Sequence, residues 1–451
     1  MIQERKKRTH IQFGCLLCIL LLLIMVRYAF QIDIPRIIFL LIIAMIAIFG
    51  DRNEIIAMCI CCIPLHESID FYYALVICMV VYVFKYHRSF SFGANLVLFL
   101  IVMSWELLHC FSTSFHIIQY LSYIVPFALL ALLMASNIEN IDYPFIVRAF
   151  AISTLALLFI LFVRVLYFSD FNFVLAIAQL QRLGSDNYTG IQDVVISGGQ
   201  INSNSLGIIS VLASTGLMQL RSIKTFKKSD AILMCSILVF AALGTSRTYL
   251  ACLALMIILL IFAEKGDFVT KLRLIAFLFI AVGAAVAAMA VFFPDTFAYF
   301  VSRFFVDDIT TGRDDLMVRY HAFIVSNSNV LFFGIGLQDF GNRLVYYYKV
   351  AGNAPHNALQ EILIAWGIPG LIIFVTQFFY MHRESIRQNR YQSLLNWIPL
   401  IILLFKGMAG QLLTSGYTLL ALSFAYLSLC QDFSTAKQQT DYKLVKPKAD
   451  L

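Results

Sequence analysis

Long uninterrupted apolar runs constrain this chain more than any other feature. They fall near 13–30, 34–50, 55–65, 70–86, 94–110, 117–135, 144–168, 203–221, 230–246, 247–264, 272–293, 358–381, 394–410 and 414–430. A bilayer core takes a helix of about 20 residues, and most of these runs approach that length. Two are less regular: 55–65 is short, and 230–264 is nearly one run broken by Gly244, Thr245, Ser246, Arg247 and Thr248. The runs lack the alternation of a barrel strand, and lipid offers backbone groups no water partner, so helices are the available solution. With 61% hydrophobic and 13% charged residues, the 451-residue chain has more apolar surface than one soluble core can bury. The expected fold is all-α: a polytopic membrane helix bundle of about 12–14 transmembrane helices with a large, partly helical extracytoplasmic loop. The ten cysteines lie almost wholly within the apolar runs, where a thiol acts as a small hydrophobe.

Loop charge predicts the orientation. Arg5, Lys6, Lys7 and Arg8 precede the first run, which resembles a signal peptide without a small-residue cleavage site and is read as a retained helix. With that end cytoplasmic, most basic loop residues and the tail lysines fall inside, as the positive-inside rule requires. The predicted localisation is the inner (plasma) membrane, with both termini cytoplasmic. Two hydrophilic segments, 169–202 and 294–357, then lie outside. The predicted organisation is a membrane bundle over 1–293, an extracytoplasmic catalytic loop over 294–357, further membrane helices over 358–433 and a disordered cytoplasmic tail over 434–451. The loop's aromatic positions predict helical pieces packed on the bundle rather than a free strand of chain. It also holds Arg303, Arg313, Arg319, Arg343 and Lys349, against the charge rule, which asks for another explanation.

Candidate residues follow from position. His356 and Asn357 stand where the loop re-enters the membrane, after Pro355; they face an external cavity or start the next helix. Arg247 lies between two strongly apolar helices at their outer ends, where it is a functional candidate by default or a snorkelling side chain pinning a hairpin. Gln200, Asn202 and Asn204 lead into a helix and either line a sugar-receiving cavity or cap. Asp307, Asp308, Asp314 and Asp315 read as a solvated acidic loop more readily than as a magnesium site. His66, His109 and His116 lack companions at ligand spacing, so no metal is expected. Gly334 and Gly336 read as a turn, and Arg164 as a snorkelling residue.

Four motifs occur in order: SRT at 246–248, GRDDL at 312–316, LFFGIGLQDF at 331–340 and HNALQEILIAWGIPGL at 356–371. Together they resemble the O-antigen ligase and Wzy-type polysaccharide polymerase superfamily. The resemblance implies that Arg247, Arg313 and His356 match the family's functional arginines and histidine. It further implies a polysaccharide-assembling enzyme whose partners are a polyprenyl-diphosphate-linked oligosaccharide donor, a glycan acceptor, the lipid bilayer, and chain-length regulator and flippase proteins, without nucleic acid. The chain departs from the family pattern at Met317, Val330 and Ala365.

A bundle without a nucleotide-binding signature needs a glycosyl donor already activated on a lipid, such as a polyprenyl diphosphate, and no cofactor. Charge grows on the departing oxygen, so cations placed there favour the transition state. Arginine grips phosphate oxygens in pairs. Arg247 and Arg313 are the expected catalytic cations, Arg319 and Arg343 supporting charges, and His356 the base that takes the acceptor hydroxyl's proton; Asn357 orients the histidine or acceptor, or caps. Polymerisation of repeat units into O-antigen, capsule or exopolysaccharide is the first reading, ligation of a finished glycan to lipid A-core or a protein the second. A transporter or flippase would instead place charges at the bilayer midplane and pair broken helices in two related halves. The ionisable groups collect at the outer rim, favouring chemistry there over passage.

Overall fold

The computed structural model describes residues 2–172, 203–263 and 313–433 apart from 112–115, 350–354 and isolated positions, with scattered positions between 269 and 301. The apolar segment 272–293 and the loop residues just after it lie largely outside the described residues, as do 173–202 and the tail from 434. The described chain is helical, with one isolated bridge between Phe90 and Ser136.

Its longer helices are α1 (Ile2–Ala29), α2 (Arg36–Phe49), α3 (Arg52–Leu65), α4 (Phe71–Tyr86), α5 (Ala94–Phe111), α6 (Ile117–Ala135), α7 (Tyr143–Phe168), α8 (Ser203–Ser222), α9 (Lys228–Ala242) and α10 (Arg247–Ala263). In the hydrophilic loop come α11 (Arg313–Ser326), α12 (Ser328–Phe333) and α13 (Phe340–Tyr346). The chain closes with α14 (Ala358–Gln388), α15 (Leu394–Met408) and α16 (Gly416–Leu429). The near-continuous run 230–264 is indeed two helices, α9 and α10, parted at the SRT motif.

Among the described residues, four helices are long and apolar enough to cross a membrane: α1 over His10–Ala29, α6, α7 and α14. Six shorter apolar ones, α2, α4, α5 from Leu96, α10, α15 and α16, accompany them. Helices such as α3 and α16 are short for a physical reason. These are buried at nearly every position, so protein neighbours rather than lipid set their length. The short run at 55–65 is α3, a central helix packed on α4, α7 and α16. It starts at a reciprocal cap in which Asp51 accepts from the Asn53 and Glu54 amides while Glu54 accepts from Asp51 N–H at 2.8 Å.

Polar groups gather at the two ends. At one end Arg148 donates to both carboxylate oxygens of Asp230, at 3.0 and 2.9 Å, and to the Thr225 carbonyl at 2.6 Å, tying α7 to α9. Gln219 of α8 donates to Ser428 Oγ and the Leu395 carbonyl, both at 2.7 Å, and Lys85 closes the last carbonyls of α2. The opposite end carries α11 and α12, which pack on α14, and α13, whose Arg343 bonds to Ile335 just after α12, as the aromatic content of the loop predicts. This is the loop end.

Candidate functional site at the loop end

The loop is seated by the two glycine-bearing motifs. Gly367 breaks α14 with φ 67°, and Pro369 lacks the N–H that the Ala365 carbonyl would receive in a continuous helix. The two carbonyls released at this break are taken by the turn: Ile335 N–H donates to Ile364 O at 2.8 Å and Gly336 N–H to Ala365 O at 2.7 Å. The turn itself needs glycine. Gly334 has φ 77°, and a Cβ there would stand 2.3 Å from the Ala365 carbonyl oxygen. LFFGIG and AWGIPG are therefore two halves of one joint, and the Gly334 to Gly336 stretch is a turn as its sequence suggests.

Glu106 of α5 locks the joint. Fully buried, it accepts from the amides of Leu337 and Gln338 with Oε1, at 2.8 and 3.1 Å, and from the Trp366 indole with Oε2 at 2.7 Å. Three donors converge on its two oxygens, the environment of a carboxylate. Trp105 donates to the Trp366 carbonyl at 3.2 Å. Arg343, on α13, donates to the Ile335 carbonyl, so this guanidinium also braces the turn. His109 packs against Gly336, and the His116 amide donates to Gln338 Oε1 at 3.2 Å.

Beside this joint α14 begins. Asn357 is its N-cap, its Oδ1 accepting from Leu359 N–H at 3.0 Å and Gln360 N–H at 3.2 Å; the capping reading of this residue describes the structure. His356 is half-buried immediately before the cap. Gln360 donates to the Met317 carbonyl at 2.7 Å, and Asn357 Nδ2 stands 4.0 Å from Met317 Sδ. Met317 lies one helical turn after Arg313, the first residue of α11, so GRDDL and the histidine segment meet. The side chain of Arg313 lies outside the described residues, as do Gln200, Asn202, Asp307 and Asp308. Arg319 is exposed on α11, and Asp314 and Asp315 are exposed in its first turn, the solvated arrangement that suits a helix start. Burial pushes the Tyr320 phenol up to about 12, so it keeps its proton at neutral pH.

The SRT motif opens α10. Ser246 accepts from Tyr249 N–H at 3.2 Å and donates to Asn204 Oδ1 at 2.6 Å, which places half-buried Arg247 against the start of α8. From there α10 packs on α15. The end of α15 meets the start of α14, since a Cβ on Gly407 would lie 3.3 Å from that of Ala358. Arg247, Asn204, the start of α11, Asn357 and His356 thus occupy one end of the bundle, linked element by element. Arg164 lies with its guanidinium over the Phe168 ring at 5.8 Å.

Three buried ionisable residues at this end are absent from the sequence reading: Glu106, Glu361 and Lys406. Each lies within an apolar run, and an ionisable residue in a membrane run is the signal that points to it. Glu361, fully buried, accepts from Leu412 N–H at 2.5 Å and Leu413 N–H at 2.8 Å. Lys406 donates to the Gln411 carbonyl and, at 3.0 Å, to Thr418 Oγ1, with the Tyr417 ring centroid 5.1 Å away. At the opposite end His10, Asp51 and Glu54 bring ligand-type atoms within 4.8 Å of one another, but the two carboxylates there form the α3 cap.

The molecule is an all-α, multi-pass membrane protein whose loop joins one end of its helices and is held there by buried polar and ionisable side chains. Residues 231–375 match the family model described as O-Antigen ligase. The match runs from α9 through the α14 break, takes in Arg247, Arg313 and His356, and bears out the resemblance to the O-antigen ligase and polymerase superfamily. It indicates a glycan-transferring enzyme of polysaccharide assembly. No curated protein matches the chain.

Proposed function

We propose that this protein transfers a glycan from a polyprenyl-diphosphate carrier to a sugar hydroxyl at the extracytoplasmic face. The observation that carries the reading is the meeting of the histidine segment with the start of α11: Gln360 and Asn357 contact Met317, one turn from Arg313. In the reaction the bond between the anomeric carbon and the diphosphate oxygen breaks, and its electron pair leaves with the polyprenyl diphosphate. The acceptor oxygen forms the new glycosidic bond, and its proton passes to the imidazole of His356. Arg247 and Arg313 hold the diphosphate as charge grows on it. Asn357 fixes the direction in which α14 leaves the histidine, Asn204 holds the SRT motif, and Arg319 supplies positive charge near the approach.

The first reading is polymerisation of lipid-linked repeat units into a surface polysaccharide such as O-antigen, capsule or exopolysaccharide. The description of the matching family favours a second, ligation of the finished glycan to lipid A-core or a protein. Lipid and glycan analysis of a deletion strain separates them. Loss of long polymer with single capped units retained supports a polymerase. Intact lipid-linked polymer that fails to attach supports a ligase, and unchanged glycans with altered solute uptake would overturn both in favour of a transporter.

A further inference from the structure

Glu361 and Lys406 sit on different helices, α14 and α15, yet both grip the same short connection between α15 and α16. The carboxylate takes the amides of Leu412 and Leu413, and the ammonium takes the carbonyl of Gln411. The polarity matches: the segment turns its N–H groups toward the anion and its C=O toward the cation. Both charges are buried, Glu361 at 0% and Lys406 at 5% exposure, where a lone charge is expensive. Lys406 is fixed further by Thr418 and the Tyr417 ring, and Tyr417 packs on His66 at 5.2 Å. Glu361 itself lies in the first turn of α14, its amide bonded to the Asn357 carbonyl at 2.9 Å.

We infer that Glu361 and Lys406 clamp the 411–413 main chain between them, and that this clamp positions the start of α14 and with it His356. The inference rests on the reading of His356 as the base, and both members are positioning residues that act through it. On the opposite side the Glu106 joint holds α14 at Trp366. The outer half of α14, from Ala358 to Trp366, is therefore fixed at both ends by a buried carboxylate accepting two successive loop amides.

The test has an arm that needs no activity. Purified wild-type protein, Glu361→Gln, Lys406→Met and the double variant are treated with diethyl pyrocarbonate, and the modification rate of His356 is followed by mass spectrometry. Each single variant is expected to change that rate at least fivefold, and the double variant by less than the product of the two, because removing both charges leaves neither unpaired. In parallel, transfer from the lipid-linked donor is expected to lose at least tenfold in kcat in each single variant, with KM for the donor within twofold. Glu361→Gln keeps an acceptor for the two amides, and Lys406→Met, on the other helix, tests the same clamp should the first not fold. A His356 modification rate within twofold of wild type in both single variants, or effects that simply multiply in the double, would overturn the clamp. Wild-type protein that leaves the donor untouched would instead overturn the proposed reaction, while the labelling result still decides the clamp.

Discussion

Replacing Glu106 with glutamine preserves the side chain's size but turns one of its two acceptor atoms into a donor. In the structure Oε1 serves the Leu337 and Gln338 amides and Oε2 serves the Trp366 indole. Glutamine can offer its single oxygen to the two amides only by turning its NH2 toward the indole N–H, which then has no acceptor from this side chain. Leaving a buried donor unsatisfied costs about 1–3 kcal/mol. Trp366→Phe removes the indole N–H, so in that background Glu106→Gln is expected to cost less by the same amount. The assay is hydrogen exchange at the Leu337 and Gln338 amides, whose release requires the joint to open. For the single variant, exchange roughly five- to 150-fold faster than wild type corresponds to that cost. The double-mutant cycle then isolates the indole contact from the packing lost with tryptophan. Equal cost of Glu106→Gln in both backgrounds, within about 0.5 kcal/mol, would refute the bond from the Trp366 indole to this carboxylate as part of the lock.

Further outcomes follow from the same geometry. Gly367→Ala must hold alanine at φ 67° with its Cβ 2.7 Å from the Phe332 carbonyl group; the conformation costs about 1–2 kcal/mol and the overlap about 1–3 kcal/mol, so a thermal unfolding scan in detergent should show a clearly lowered midpoint, and an unchanged one would dismiss the joint. Asn357→Asp keeps the cap and Asn357→Ala loses about 0.5–2 kcal/mol of helix stability; if capping is the residue's whole role, the aspartate variant transfers glycan as wild type does, whereas loss of activity in both points to contact with substrate. Arg313→Lys should lower kcat/KM for the donor by at least tenfold, since a point charge lacks the paired grip of guanidinium on phosphate; full activity would make this residue structural only.

The class of fold was legible because apolar length is a one-dimensional property: spans such as α7 and α14 follow directly from their runs. The length of individual helices was less so. A buried helix such as α3 need not match a bilayer, and nothing local in its eleven apolar residues says that protein surrounds it. At the site, SRT, GRDDL and the histidine segment were visible as polar interruptions. The partnership of Gly334 and Gly336 with Gly367 was not legible, because it rests on carbonyls freed by a distant proline and glycine break. Glu106, Glu361 and Lys406 carried a usable signal, an ionisable group inside an apolar run. Their partners are loop amides and carbonyls, which every residue possesses and no sequence pattern marks.

We propose that His356, at the loop end just before the α14 cap, serves glycan transfer from a lipid diphosphate. The most direct measurement places purified protein in nanodiscs with a polyprenyl-diphosphate-linked oligosaccharide and follows both the glycan and the released carrier. Wild-type protein should yield transferred or lengthened glycan together with free polyprenyl diphosphate. His356→Ala, folded by the same thermal scan, should yield neither. Transfer by the alanine variant at the wild-type rate would contradict the claim.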